Sequence, residues 1–228
     1  MAMLHSRRLV PVVVGVLLLA IATGSLVYWL VDGEGPGRPA GAADEMGLAC
    51  GINERIHDVD FSKMGSSAAS KDALDDLIVE LSLVQAAGKH DTTYAAIAAA
   101  AEKFYRKWIL NFDLDELHTG MNQLADACDD VAATSVPANR GDRFDSYQQF
   151  SCRLAGTIHD QGTALKKLTA DSATVADLNV LYAVGVALMR DPDHKKVGRL
   201  IATVPQAMRT FDEKRYRKAL DDLTDACN

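Results

Sequence analysis

The sequence predicts an all-α protein: one N-terminal transmembrane helix, then tandem duplicated four-helix units, each stapled by one disulfide. Three observations carry this. Residues 9–31 form an uncharged apolar run, a block of about 100 residues recurs once, and four cysteines fall two per copy at equivalent places. The composition agrees with helices. Aromatics make up only 6% of the chain and alanine is abundant, whereas strands favour aromatic and β-branched residues.

The first element is the run LVPVVVGVLLLAIATGSLVYWLV, 23 residues without a charge. About 20 helical residues cross a bilayer core, so it is long enough to span one. Tyr28 and Trp29 stand at its outer end, where amphipathic rings favour the headgroup zone. Arg7 and Arg8 precede the run, and Asp32 and Glu34 follow it. Positive charge stays inside, which predicts a single pass with a cytoplasmic N-terminus and an extracytoplasmic remainder. The Ala/Asp/Arg bias has the general look of bacterial envelope proteins, which makes the cytoplasmic membrane of a bacterium the expected location. The competing reading is a cleavable signal peptide, since Ala20-Ile21-Ala22 and Ala40-Gly41-Ala42 both fit a small-x-small cleavage site. Either reading exports the rest of the chain. Residues 1–31 are thus expected as signal-anchor, and the Gly/Pro/Ala-rich residues 32–44 as a flexible tether.

The charge excludes one class of partner. The net charge is −7, and residues 1–31 hold two bases and no acid, so the remainder carries −9. Such a field repels nucleic acid.

The repeat follows. Cys50 to Asp58 and Cys152 to Asp160 both read C-x5-I-H-D at an offset of 102. FDLDELHTGMNQLADAC (112–128) aligns without a gap to FDEKRYRKALDDLTDAC (211–227) at an offset of 99, with six identities. Between them, Asp76-Leu77 matches Asp177-Leu178 at an offset of 101. Three matches in the same order mark a duplication, with units at 45–132 and 146–228 and a linker at 133–145. Helices are expected near 45–60, 70–88, 92–110 and 113–132, then 145–167, 171–190, 193–209 and 212–227. Asp113 and Asp212 suit N-caps, and each follows a Phe suited to a hydrophobic staple. Leu117, Met121, Leu124 and Cys128, like Tyr216, Leu220, Leu223 and Cys227, recur at helical spacing as a buried stripe. Pro205 should kink or end its helix.

An even set of cysteines in an exported chain implies disulfides. A bond inherited by duplication must lie within one copy, which selects Cys50–Cys128 and Cys152–Cys227. Metal binding by these cysteines would need clustered spacing, which is absent. No metal site and no cofactor is expected.

Few residues offer chemistry. His57 and His159 recur beside an Asp in both copies and form the candidate polar site. A packing role beside the disulfide, hydrogen-bonded to the neighbouring helix, explains the recurrence better than catalysis. His90, His118 and His194 read as solvated polar residues. The pairs Asp75-Asp76, Asp129-Asp130 and Asp221-Asp222 read as solvated helix faces. Phe104, Tyr105, Arg106 and Trp108 form the candidate partner contact, with core packing as the alternative for the aromatics. Arg215, Arg217 and Lys218 make a basic cluster suited to lipid headgroups or simple exposure. No nucleophile elbow, zinc-protease motif, haem-attachment motif or phosphate loop occurs, so no catalytic residue is named. The expectation is an anchored interaction protein with a partner in the membrane or envelope. The alternatives are a small-ligand binder or enzyme with a pocket between helices, or an exported inhibitor or immunity protein.

Overall fold

The computed structural model describes residues 40–63, 68–111, 113–131 and 140–227. The apolar run 9–31 and most of the tether lie outside these residues, as do Phe112, the side chain of Tyr105 and most of the linker 133–145. Among the described residues no helix is long and apolar enough to cross a membrane.

The described chain is all-helical, with eight α-helices: α1 (Ala42–Ile56), α2 (Ala68–His90), α3 (Ala95–Asn111), α4 (Leu114–Cys128), α5 (Arg140–Gln161), α6 (Ala173–Leu188), α7 (Lys195–Arg209) and α8 (Glu213–Cys227). Short 3₁₀ turns at Phe61–Lys63, Thr92–Tyr94 and Leu165–Lys167 join some of them. In each copy the four helices close a ring. α1 packs on α2, α2 on α3, α3 on α4 and α4 back on α1; α5 to α8 repeat the pattern. A disulfide closes each ring, Cys50–Cys128 between α1 and α4 and Cys152–Cys227 between α5 and α8. This is the pairing that the duplication implies.

The two copies meet through α2 and α6. One apolar core runs through both, from Met46, Ile52 and Leu83 to Leu154, Leu181 and Leu223. α6 is buried nearly all round, as its sequence ATVADLNVLYAVGVAL suggests. α7 crosses it closely at Gly185 and Gly198. A Cβ on Gly198 would stand 2.7 Å from the Met189 nitrogen and 2.8 Å from the Gly185 oxygen.

Local sequence explains most helix ends. Asp113 accepts from the Glu116 N–H at 3.1 Å, and Asp212 from the Arg215 N–H at 3.0 Å, both as N-caps. The stripes Leu117–Met121–Leu124 and Tyr216–Leu220–Leu223 are buried as their spacing predicts.

Several expectations change. α1 begins at Ala42, inside the expected tether, because the Asp44 carboxylate accepts from the Gly41 N–H at 3.2 Å and starts the helix. Ala40 is also packed, its N–H donating to Thr157 Oγ1 at 3.0 Å. α5 begins at Arg140, so the expected linker ends earlier. Pro205 does not end α7, which continues to Arg209. Phe211 forms no staple: it is 85% exposed with φ +53°, a left-handed conformation uncommon outside glycine.

Candidate functional site

The chemistry gathers between the copies. Asp76 on α2 and Asp177 on α6 occupy equivalent positions in the two copies, and both are fully buried. Each meets a side chain from the first helix of the other copy. The Tyr147 hydroxyl on α5 donates to Asp76 Oδ1 at 2.7 Å. Glu45 on α1 faces Asp177. Glu45 and Tyr147 are themselves equivalent at the repeat offset of 102. Reciprocal contacts of this kind are what a two-fold relation between copies produces.

The two halves differ in charge. Asp76 is paired with Arg55, and Arg143 Nη1 lies 3.5 Å from its Oδ2. Arg143 also reaches Asp72 at 3.5 Å, and Arg190 Nε pairs with Asp75 at 3.1 Å. Anions there meet fixed cations, as buried charges require. Burial holds the Tyr147 hydroxyl well above its ordinary value, so it stays a donor.

The other half holds two buried carboxyl groups and one imidazole. His90 Nε2 stands 2.7 Å from Asp177 Oδ1 and 3.6 Å from Glu45 Oε1. Glu45 is 0% exposed and shares a hydrogen bond with the Asp177 carboxylate, the protonated Glu45 donating; no other donor meets its oxygens or Asp177 Oδ2. Burial first, and the Asp177 carboxylate second, push the Glu45 carboxyl up to about 9. The hydrogen bond that His90 Nε2–H donates to the Asp177 carboxylate raises the imidazole above its ordinary value. Glu45, His90 and Asp177 each offer a ligand atom within 4.8 Å of the others. This trio was not legible as a site. Its members lie far apart in sequence, and only the packing of α1, α2 and α6 joins them. One signal existed: Asp177 is the one charged residue of a largely apolar helix.

The residues singled out from sequence fall elsewhere. His57 Nε2 lies 2.7 Å from Asn122 Oδ1 on α4, and Nδ1 lies 3.2 Å from Asp58. His159 stands 3.4 Å from Asp160 and 3.4 Å from Asp221 on α8, the counterpart of Asn122. These histidines tie the first helix of each copy to its last. Phe104 and Trp108 are buried, so of the candidate contact patch the described surface keeps only Arg106, paired with Glu102. The solvated readings of His90, His194 and Asp75-Asp76 are corrected: His90 is half-buried and the others are buried. His194 bridges Asp191 at 3.0 Å and Asp145 at 2.9 Å, joining α5 to the turn before α7.

A small pocket in the first copy is lined by Leu77, Phe104, Leu117, Met121 and the buried Glu80. Its room of about 20 Å³ accommodates a water molecule. Burial pushes the Glu80 carboxyl up to about 8, against the Asn53 amide that donates to it at 2.7 Å.

No protein family, characterised protein or solved structure shows a significant match to this chain.

Proposed function

We propose that the chain is a membrane-anchored, extracytoplasmic interaction protein, an accessory or scaffold component of a bacterial cell-envelope membrane complex. The apolar run at residues 9–31 would be the anchor, and the helical body the part presented to a partner. Two disulfides suit an oxidising compartment.

The observation that carries the reading is Phe211. It is the large hydrophobic side chain that the described surface exposes, and its backbone is held in the left-handed region. A strained aromatic kept out of the core points outward to a contact. Arg209, Lys214, Arg215 and Arg217 are exposed around it in sequence and would form a basic rim. This turn replaces Phe104 and Trp108 as the contact surface, since those two are buried.

Purification of the full chain from native membranes in mild detergent, followed by mass spectrometry, tests the proposal. A stoichiometric membrane protein should accompany the native chain and be lost from Phe211→Ser. Recovery of the chain alone across a range of salt concentrations would overturn it.

A further inference from the structure

We infer that Glu45, His90 and Asp177 form a binding site for one divalent first-row transition-metal ion, clamped between the two copies.

Ring geometry separates this cluster from the three other histidines that meet polar partners. His57, His159 and His194 each present their two ring nitrogens to two different partners. Such partners orient a ring and cannot share one ion with it. At His90 both carboxyl groups converge on the same nitrogen, Nε2, at 2.7 and 3.6 Å. Tetrahedral ligands at roughly 2.0–2.1 Å from a metal lie about 3.3 Å from one another. The observed separations bracket that value, so small shifts would admit an ion.

Burial supplies the second observation. Both Glu45 oxygens and Asp177 Oδ2 are buried, and beyond the hydrogen bond between the two carboxyl groups no donor meets them. The duplication supplies a third. At the equivalent place Asp76 is matched by Arg55, Arg143 and the Tyr147 hydroxyl. The Glu45 half replaces the tyrosine by another acid and has one imidazole where its twin has two guanidinium groups. With both carboxyl groups ionised as ligands, a divalent cation would play the part that the two guanidinium groups play in the twin.

One imidazole and two carboxylates suit Zn²⁺ or Mn²⁺ better than Ca²⁺, which takes six to eight oxygens, or Cu⁺, which prefers sulfur. Three protein ligands leave room for water. His90 is the partly exposed member, its side chain 19% accessible, and marks the side of entry.

The test is calorimetric titration of Zn²⁺, and separately Mn²⁺, into the detergent-solubilised full chain after chelator treatment. The expected result is one saturable site per chain. Asp177→Asn and Glu45→Gln should weaken binding by more than the roughly 10–100-fold that loss of a supporting group costs. His57→Gln and His159→Gln should leave it unchanged. Glu45→Gln keeps the shape and neutrality of the protonated side chain, so its folding, read by circular dichroism, separates lost binding from lost structure. Absence of saturable binding, or binding that survives both site variants, would overturn the inference and leave a proton-sharing network. Neither outcome depends on whether a protein partner is found.

Discussion

Replacing Glu45 by Gln should stabilise the metal-free protein, by an amount that grows with pH. Glu45 is fully buried, and its carboxyl is pushed from an ordinary 4.5 to about 9. The facing groups are Asp177 on α6, His90 on α2 and Asp44 on its own helix, with Tyr216 on α8 near Asp177. Two of these facing groups are acids, and burial opposes the charged form. Between pH 4.5 and 9 the folded chain holds a proton that the unfolded chain has released, so stability falls as pH rises through this window. At pH 7 the gap is two and a half units, which at about 1.4 kcal/mol each is roughly 3 kcal/mol. Gln needs no proton, and its amide can donate to Asp177. The gain should vanish near pH 4.5 and approach 3 kcal/mol at pH 7. For a body of this size that is about 6–12 °C in Tm. Thermal unfolding of the full chain in detergent with chelator, followed at 222 nm from pH 5 to 9, reads it directly. Glu80 contributes a slope of the same sign to both proteins, so the difference between them is the quantity to measure. A variant that is no more stable at pH 7.5 than at pH 5, relative to the native chain, would refute the reasoning.

Three other perturbations test separate parts of the structure. Cys50→Ser with Cys128→Ser opens a loop of 78 residues and should cost about 4–5 kcal/mol on the chain-entropy account, seen as a lower denaturant midpoint. Gly198→Ala drives a methyl into the backbone of Gly185 in α6 and of Met189 just past its end, and should cost about 1–3 kcal/mol, measured by urea unfolding. Phe211→Gly relieves a left-handed residue that touches little. It should leave the fold unharmed or more stable by up to about 1 kcal/mol in the same assay, while abolishing partner recovery.

The fold was legible because duplication wrote it twice. Cys50 and Cys152 recur with the same C-x5-I-H-D context, and the last helices share their closing Asp-Ala-Cys, so the helical class and the disulfide pairing followed from pattern, while the way the helices pack did not. Helix starts were less legible. Gly41 and Arg140 sit in segments whose composition reads as linker, yet Asp44 caps the first, and α5 includes the Arg-Gly-Asp-Arg that looked like a break. Side-chain burial was misread where charge was taken as a sign of solvent. Asp75-Asp76 lies on a face that meets α5 and the end of α6, and its partners Arg143, Tyr147 and Arg190 are about 70 to 115 residues away. Helical periodicity reports which residues share a face; it does not report that another copy will cover that face.

The buried charges between the copies argue for specificity more than for stability. A buried ion pair seldom outperforms an apolar contact of the same volume, because desolvation offsets the attraction. α2 and α6 could have met through leucines, and their flanking Leu77, Val79, Leu178 and Val180 show that such contacts are present. Apolar surfaces alone would tolerate sliding by one helical turn. Asp76 can meet the Tyr147 hydroxyl, and Asp177 can meet His90, in one register only. Each registration error would strand a buried carboxylate, which costs several kcal/mol. The polar interface thus fixes how the two rings dock and holds the body that carries Phe211 in one shape. The half without arginines is where that lock remains open to an added ion.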